Sequence, residues 1–131
     1  MSLSVKYNDS SLELESSKAG LLDLAEKMQT NRDIQRISLS HPITSPNPYL
    51  GYADFLTLEP SSGNVYIGRR GREVRISGAP EKLEILAGNI EFLANDEDDN
   101  SKSHIHIEYR PGHFYLREKS MPLVITKNDQ D

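Results

Sequence analysis

Residues 104 to 113 read HIHIEYRPGH. His104, His106 and Glu108 stand at every second position, and His113 follows a Pro-Gly pair. Alternate residues of an extended strand share one face, so the first three side chains are presented together. Two imidazoles about 6–7 Å apart on one strand face can converge on a tetrahedral zinc ion, with a carboxylate as third ligand. The same groups could act as general acid and base if a pocket positions them. A third outcome involves no chemistry: a polar sheet face, open to water or read by a partner. The intervening residues Ile105, Ile107 and Tyr109 form the opposite, apolar face, which must pack on a core.

Nothing else in the chain supplies catalytic machinery. There is no G-x-S-x-G elbow, no phosphate-binding P-loop and no H-E-x-x-H pair. The run GRRGR is not a dinucleotide fingerprint. With no cysteine, a thiol nucleophile, a disulfide scaffold and a thiolate metal site are excluded. The chain therefore reads as a non-enzyme with no cofactor.

Charge is unevenly placed. Arg69, Arg70, Arg72 and Arg75 crowd around one turn, and Asp96, Glu97, Asp98 and Asp99 form a separate acidic run. The arginines could touch phosphates. Nucleic-acid surfaces interleave basic residues with aromatics, and only Tyr66 lies near. A net charge of −5 weighs the same way, so nucleic acid is not the expected partner. The alternative is a solvated turn paired with the acidic loop. The acidic run in turn reads as a solvated loop or as a surface that meets a basic protein and speeds its arrival.

These residues need elements to hold them. Leu12 and Leu14 alternate with polar residues, as in a short strand. Ser16 and Ser17 can cap a helix, whose stripe is Leu21, Leu24, Ala25 and Met28. Asn31 and Asp33 end it, and QRISLS (35–40) alternates again. HPITSPNPYLGY, with three prolines, predicts an irregular loop. DFLTLEP is a strand, and residues 64–77 form a hairpin turning at RRGR. Pro80 fits the first turn of a second helix, with Ser77 or Gly78 near its cap. Leu83, Leu86, Ala87, Ile90 and Ala94 form that helix's stripe. Its back face carries Ile85 and Phe92, two turns apart, apolar residues that another chain segment or a partner must cover. HIHIEY and PLVIT supply the last strands.

Shifting the sequence by 62 residues lays LELESSKAGLLDLAEKM over VRISGAPEKLEILAGNI. Leu12/Val74, Leu14/Ile76, Leu21/Leu83, Leu24/Leu86, Ala25/Ala87 and Met28/Ile90 agree in type. This suggests a repeated strand–helix–strand unit, over residues 10–60 and 72–127. Any two amphipathic strand–helix pairs would also align in this way.

The 131 residues suit one domain with its own core. The expected class is α+β: a mostly antiparallel sheet of about six to seven strands, with two helices packed on one face. No basic region followed by an apolar run opens the chain, and no stretch approaches the ~18 apolar residues of a membrane span. A cytoplasmic address with no membrane partner is expected.

One resemblance joins these parts. VRISGAPEKLEILAGNIEFLAN, SHIHIEY, HFYLREKS and MPLVI (residues 74–126) resemble an immunity-protein family of bacterial polymorphic-toxin systems, the family numbered thirty-two. The resemblance covers the C-terminal half, and HIHIEY followed by YL and PLVI is its most specific part. It implies a non-enzymatic protein that binds and neutralises a cognate toxin. The expected contact surface combines Asp96, Glu97, Asp98 and Asp99 with His104, His106 and Glu108, and Tyr109 or Tyr115 as aromatic anchors. Two alternatives stand beside it: a metal-binding protein using His104, His106 and Glu108, and a homodimer that buries Ile85 and Phe92.

Overall fold

A computed structural model describes residues 3–30, 33–96 and 102–128. The chain order is β1 (Ser4–Tyr7), β2 (Leu12–Ser16), α1 (Lys18–Thr30), β3 (Gln35–Ser38), β4 (Gly51–Tyr52), β5 (Phe55–Pro60), β6 (Tyr66–Arg70), β7 (Glu73–Gly78), α2 (Pro80–Ala94), β8 (Lys102–Ile107) and β9 (Leu123–Asn128). The class is α+β, as the sequence predicts.

Local sequence explains most boundaries. In β2 the residues Leu12 and Leu14 are buried while Glu13 and Glu15 between them are not. The Ser17 hydroxyl accepts the Gly20 N–H at 3.2 Å, which caps α1. Pro80 opens α2, where its missing N–H costs nothing. The N-cap is Ala79 with no side-chain cap, rather than Ser77 or Gly78, which belong to β7. The C-terminal end of α2 is answered from another element. The buried Lys127 ammonium of β9 donates to the carbonyls of Ala94 and Asp96, placing a cation where the helix dipole is negative. The β6–β7 hairpin turns at Gly71, whose φ of +62° a side chain would strain. The Pro-rich stretch 41–50 is irregular, as expected, and ends in the two-residue strand β4.

The strands divide between two sheets. One has the order β4-β1-β2-β9-β8, and the other β3-β5-β7-β6. Most pairs are antiparallel, but β2–β9 and β5–β7 are parallel. Neither parallel pair joins consecutive strands: β6 lies between β5 and β7, and most of the chain lies between β2 and β9. This is why sequence periodicity suggested one sheet of six to seven strands, whereas the described residues form nine strands in two sheets. The strand β1 (SVKY) was also not anticipated. Its buried Val5 is flanked by too few apolar neighbours to show alternation.

A shared core holds these parts together. Leu14 of β2, Leu24 of α1, Leu56 of β5, Ile76 of β7, Leu86 of α2 and Ile125 of β9 all belong to one buried cluster. Each such aliphatic side chain contributes about 1.5–3 kcal/mol of transfer free energy. α1 touches β2 and β9, and α2 touches β7, β8 and β9. The helices also meet each other, with Gln29 Nε2 donating to Glu91 Oε1 at 3.1 Å.

Candidate functional site

The strand β8 lies at the edge of its sheet, paired only with β9. His104 sits opposite Thr126, and His106 opposite Val124. Both imidazoles are exposed, and their rings meet edge to face at 5.2 Å. The same sheet face continues through Thr126, whose hydroxyl donates to Glu13 at 3.3 Å, and Asn128, whose amide donates to Glu15. The expected polar face therefore exists and is wider than one strand. Glu13 and Glu15, two strands away, belong to it.

Glu108 and Tyr109 fall just past the end of β8. Glu108 is exposed, and Tyr109 is half-buried against the core with Ile105. Among the described residues, no three or more His, Asp or Glu side chains are grouped to hold a metal ion. His104, His106 and Glu108 therefore share a region without forming a ligand set.

A cleft of about 360 Å³ opens between α2 and β8, closed at one end by the loop after β8. Asn89 and Phe92 line it from the helix, Ile105 to Glu108 from the strand, and His113 to Tyr115 from the loop. It brings together His106, Glu108, Phe92 and Tyr115 from the sequence expectation. His113, Phe114 and Asn89 join them.

The loop that closes the cleft is rigidly built. The Pro111-Gly112 turn is held by the His113 N–H donating to the Arg110 carbonyl at 2.9 Å, with Gly112 at φ +85°. His113 Nδ1 accepts the backbone N–H groups of Tyr115 (3.2 Å) and Leu116 (3.0 Å). That nitrogen carries no proton in this arrangement. The ring lies parallel to Phe114 at 5.7 Å and edge-on to Tyr115 at 4.7 Å. The Lys82 ammonium donates to the Phe114 carbonyl at 3.2 Å and ties the loop to the start of α2. His113 thus holds the turn through Nδ1.

Tyr115 is buried, and its hydroxyl accepts the Asn89 amide at 2.7 Å. Burial raises its phenol pKa, and the Asn89 hydrogen bond partly offsets the rise. Tyr115 is therefore a wall of the cleft. Two other aromatics do protrude: Phe92 at 78% exposure and Phe114 at 67%. Phe114 went unremarked in the sequence because it follows a turn and belongs to no periodic pattern. Ile85, paired with Phe92 in the expectation, is partly buried against the core, so the back face of α2 is reduced to Phe92.

Of the acidic run, Asp96 is described and half-buried, following the C-cap residue Asn95. Glu97, Asp98 and Asp99 lie outside the described residues. The arginine hairpin is occupied within the fold. Arg69 stacks on Tyr7 at 4.2 Å and approaches Asp9, Arg72 binds the Tyr52 carbonyl and Asp54, and Arg75 pairs with Glu59 and Glu73. Among the described residues, these guanidiniums pair with local acids. Arg70 is exposed beside them.

Residues 73–128 match the family model described as Immunity protein 32. The match is a little under half of the chain, begins at β7 and ends with β9. It thus contains the whole lining of the α2–β8 cleft. No curated protein matches the chain. No solved structure matches it.

Proposed function

We propose that this chain is a non-enzymatic, immunity-type protein that binds a cognate bacterial toxin and blocks it. The α2–β8 cleft and the adjoining polar face of β8 form the contact surface. One observation carries the reading: the segment that matches the immunity-protein family is the segment that builds the cleft.

The geometry suits an inhibitor. A binding protein needs no nucleophile or cofactor, but it does need a firm surface with a few aromatic anchors inside a polar rim. Phe92 and Phe114 offer apolar area beside the carboxylate of Glu108 and the imidazoles of His104 and His106. The walls are fixed by Asn89–Tyr115, by His113 on the loop backbone and by Lys82 on Phe114, so little conformational freedom is lost on binding. The net charge of −5, with the acidic run Asp96, Glu97, Asp98 and Asp99 in the sequence, favours fast encounter with a basic toxin surface. A cytoplasmic address follows from this role. Among the described residues, no helix is long and apolar enough to cross a membrane.

The test is purification together with the toxin encoded beside this gene. A stable complex that abolishes the toxin's activity is expected; a toxin that remains fully active with this protein in excess refutes the reading. Exposure of Phe92 favours a second reading, self-association through the same cleft. Light scattering separates the two: a wild-type dimer that Phe92→Asp converts to a monomer supports self-association, and a monomer in both supports the toxin surface.

A further inference from the structure

We infer that this chain is two ββαββ halves that have exchanged strands: a two-fold dimer carried on one polypeptide, in which each half is the other's obligate partner. The first half is β1, β2, α1, β3 and β5, with β4 as an addition. The second is β6, β7, α2, β8 and β9.

The registers carry the inference. In the β1–β2 hairpin Ser4 pairs with Glu15 and Tyr7 with Leu12. Adding 62 to each number gives the β6–β7 hairpin, Tyr66 with Ser77 and Arg69 with Val74. The same shift takes the start of α1, Lys18, to the start of α2, Pro80. The parallel seams correspond too. β2 meets β9 with Leu12 opposite Leu123 and Leu14 opposite Ile125. β7 meets β5 with Val74 opposite Leu56 and Ile76 opposite Leu58. Both sheets therefore read hairpin, seam, then the last strands of the opposite half.

Even the irregular crossings repeat. The Leu3 and Val5 carbonyls accept the N–H groups of Ser40 (2.9 Å) and Ala53 (2.8 Å). At positions 62 further on, the Val65 and Ile67 carbonyls accept those of Arg117 (2.7 Å) and Met121 (2.8 Å). The six apolar pairs from Leu12/Val74 to Met28/Ile90 are buried in both copies. Gln29 and Glu91, themselves 62 apart, touch each other. In a two-fold arrangement, equivalent residues meet only beside the axis, which therefore passes between the helices.

Chance similarity of two amphipathic strand–helix pairs would not preserve register across both seams. A consequence follows. Neither half owns a sheet: β6–β7 is completed by β5, and β8–β9 by β2. A lone two-stranded hairpin is marginal in water. The segment 73–128 is thus not self-sufficient, since β7 lies in one sheet and β8 and β9 in the other. A smaller cleft of about 120 Å³ lies between α1 and β3, lined among others by Asp23, Lys27, Ile37 and Ser38. Of its helix residues only Lys27 corresponds by the 62-residue shift to a residue of the α2–β8 cleft, Asn89, so the aromatic surface belongs to one copy alone.

The experiment uses the full chain with a protease site placed in the exposed turn at residues 61–63, cleaved after folding. The two pieces should elute as one particle with unchanged circular dichroism. The denaturant midpoint of the cut protein should fall with each tenfold dilution, while that of the intact chain stays fixed. Pieces that lose their structure as they separate support the inference equally. In the intact chain, Leu14→Ala in β2 should accelerate amide exchange in β8 and β9 by the same factor as in β1. Two pieces that separate as folded monomers, or a Leu14→Ala effect confined to the first half, would overturn it.

Discussion

Truncating Phe92 to alanine separates binding from folding. The ring is 78% exposed on α2. A phenylalanine side chain presents roughly 200 Å², so about 150 Å² of it faces water. Covering all of that at ~25 cal/mol per Å² gives about 4 kcal/mol as a gross figure. Incomplete coverage and the ordering of contacting side chains reduce this to about 2 kcal/mol, at the lower edge of a hot spot. Phe92→Ala should therefore weaken toxin binding about 30-fold. The same change should alter unfolding free energy by no more than ~0.5 kcal/mol, because little is lost from the folded state. Titration calorimetry against an inactive variant of the toxin reads the first quantity, and denaturant unfolding the second. Binding within twofold of wild type, with the fold intact, would remove Phe92 from the contact surface. A large loss of stability would mean that the ring is structural.

Other substitutions examine what holds the site in place. Tyr115→Phe removes the hydrogen bond between the buried Tyr115 hydroxyl and the half-buried Asn89 amide and should cost about 1 kcal/mol in denaturant unfolding. Because the Tyr115 phenol titrates higher when folded, the wild type should lose stability as pH rises above the ordinary value of 10.0; Tyr115→Phe should flatten that loss. At the acid end, the Thr57 hydroxyl, with help from Arg75 and Arg36, holds the Glu73 carboxyl below its ordinary value of 4.5. That contribution is complete above 4.5 and disappears as pH falls below it, so Glu73→Gln should shallow the acid limb of a stability–pH curve. At Gly78, a Cβ would sit 2.9 Å from the Cα of Val65, where backbone must move; Gly78→Ala should cost about 1–3 kcal/mol by thermal unfolding.

Local elements were legible in the sequence because their signals are local. The Leu21–Met28 and Leu83–Ala94 stripes, the RRGR turn and the alternation of HIHI each lie within one element. The pairing of β2 with β9 and of β5 with β7 was not legible, because pairing between non-consecutive strands leaves no trace in the periodicity of either one. The 62-residue offset was the one long-range signal, and the six apolar pairs from Leu12/Val74 to Met28/Ile90 are buried in both copies. At the site, alternation placed His104 and His106 on the outer face and Ile105 and Ile107 inward. It said nothing of strand ends, so Glu108 was assigned to the strand although β8 stops at Ile107. The burial of Tyr115 could not be read from the sequence, because it involves Asn89, a polar residue of α2 that meets it only when the loop folds back. Phe114 and Glu13 join the surface through tertiary contacts alone.

The most direct measurement is growth of cells that express the neighbouring toxin, with this chain or its Phe92→Asp variant supplied in trans. The account predicts full rescue by the wild type, loss of rescue by the folded variant, and a wild-type complex that survives gel filtration. Undiminished killing in the presence of abundant, folded wild-type protein would contradict it.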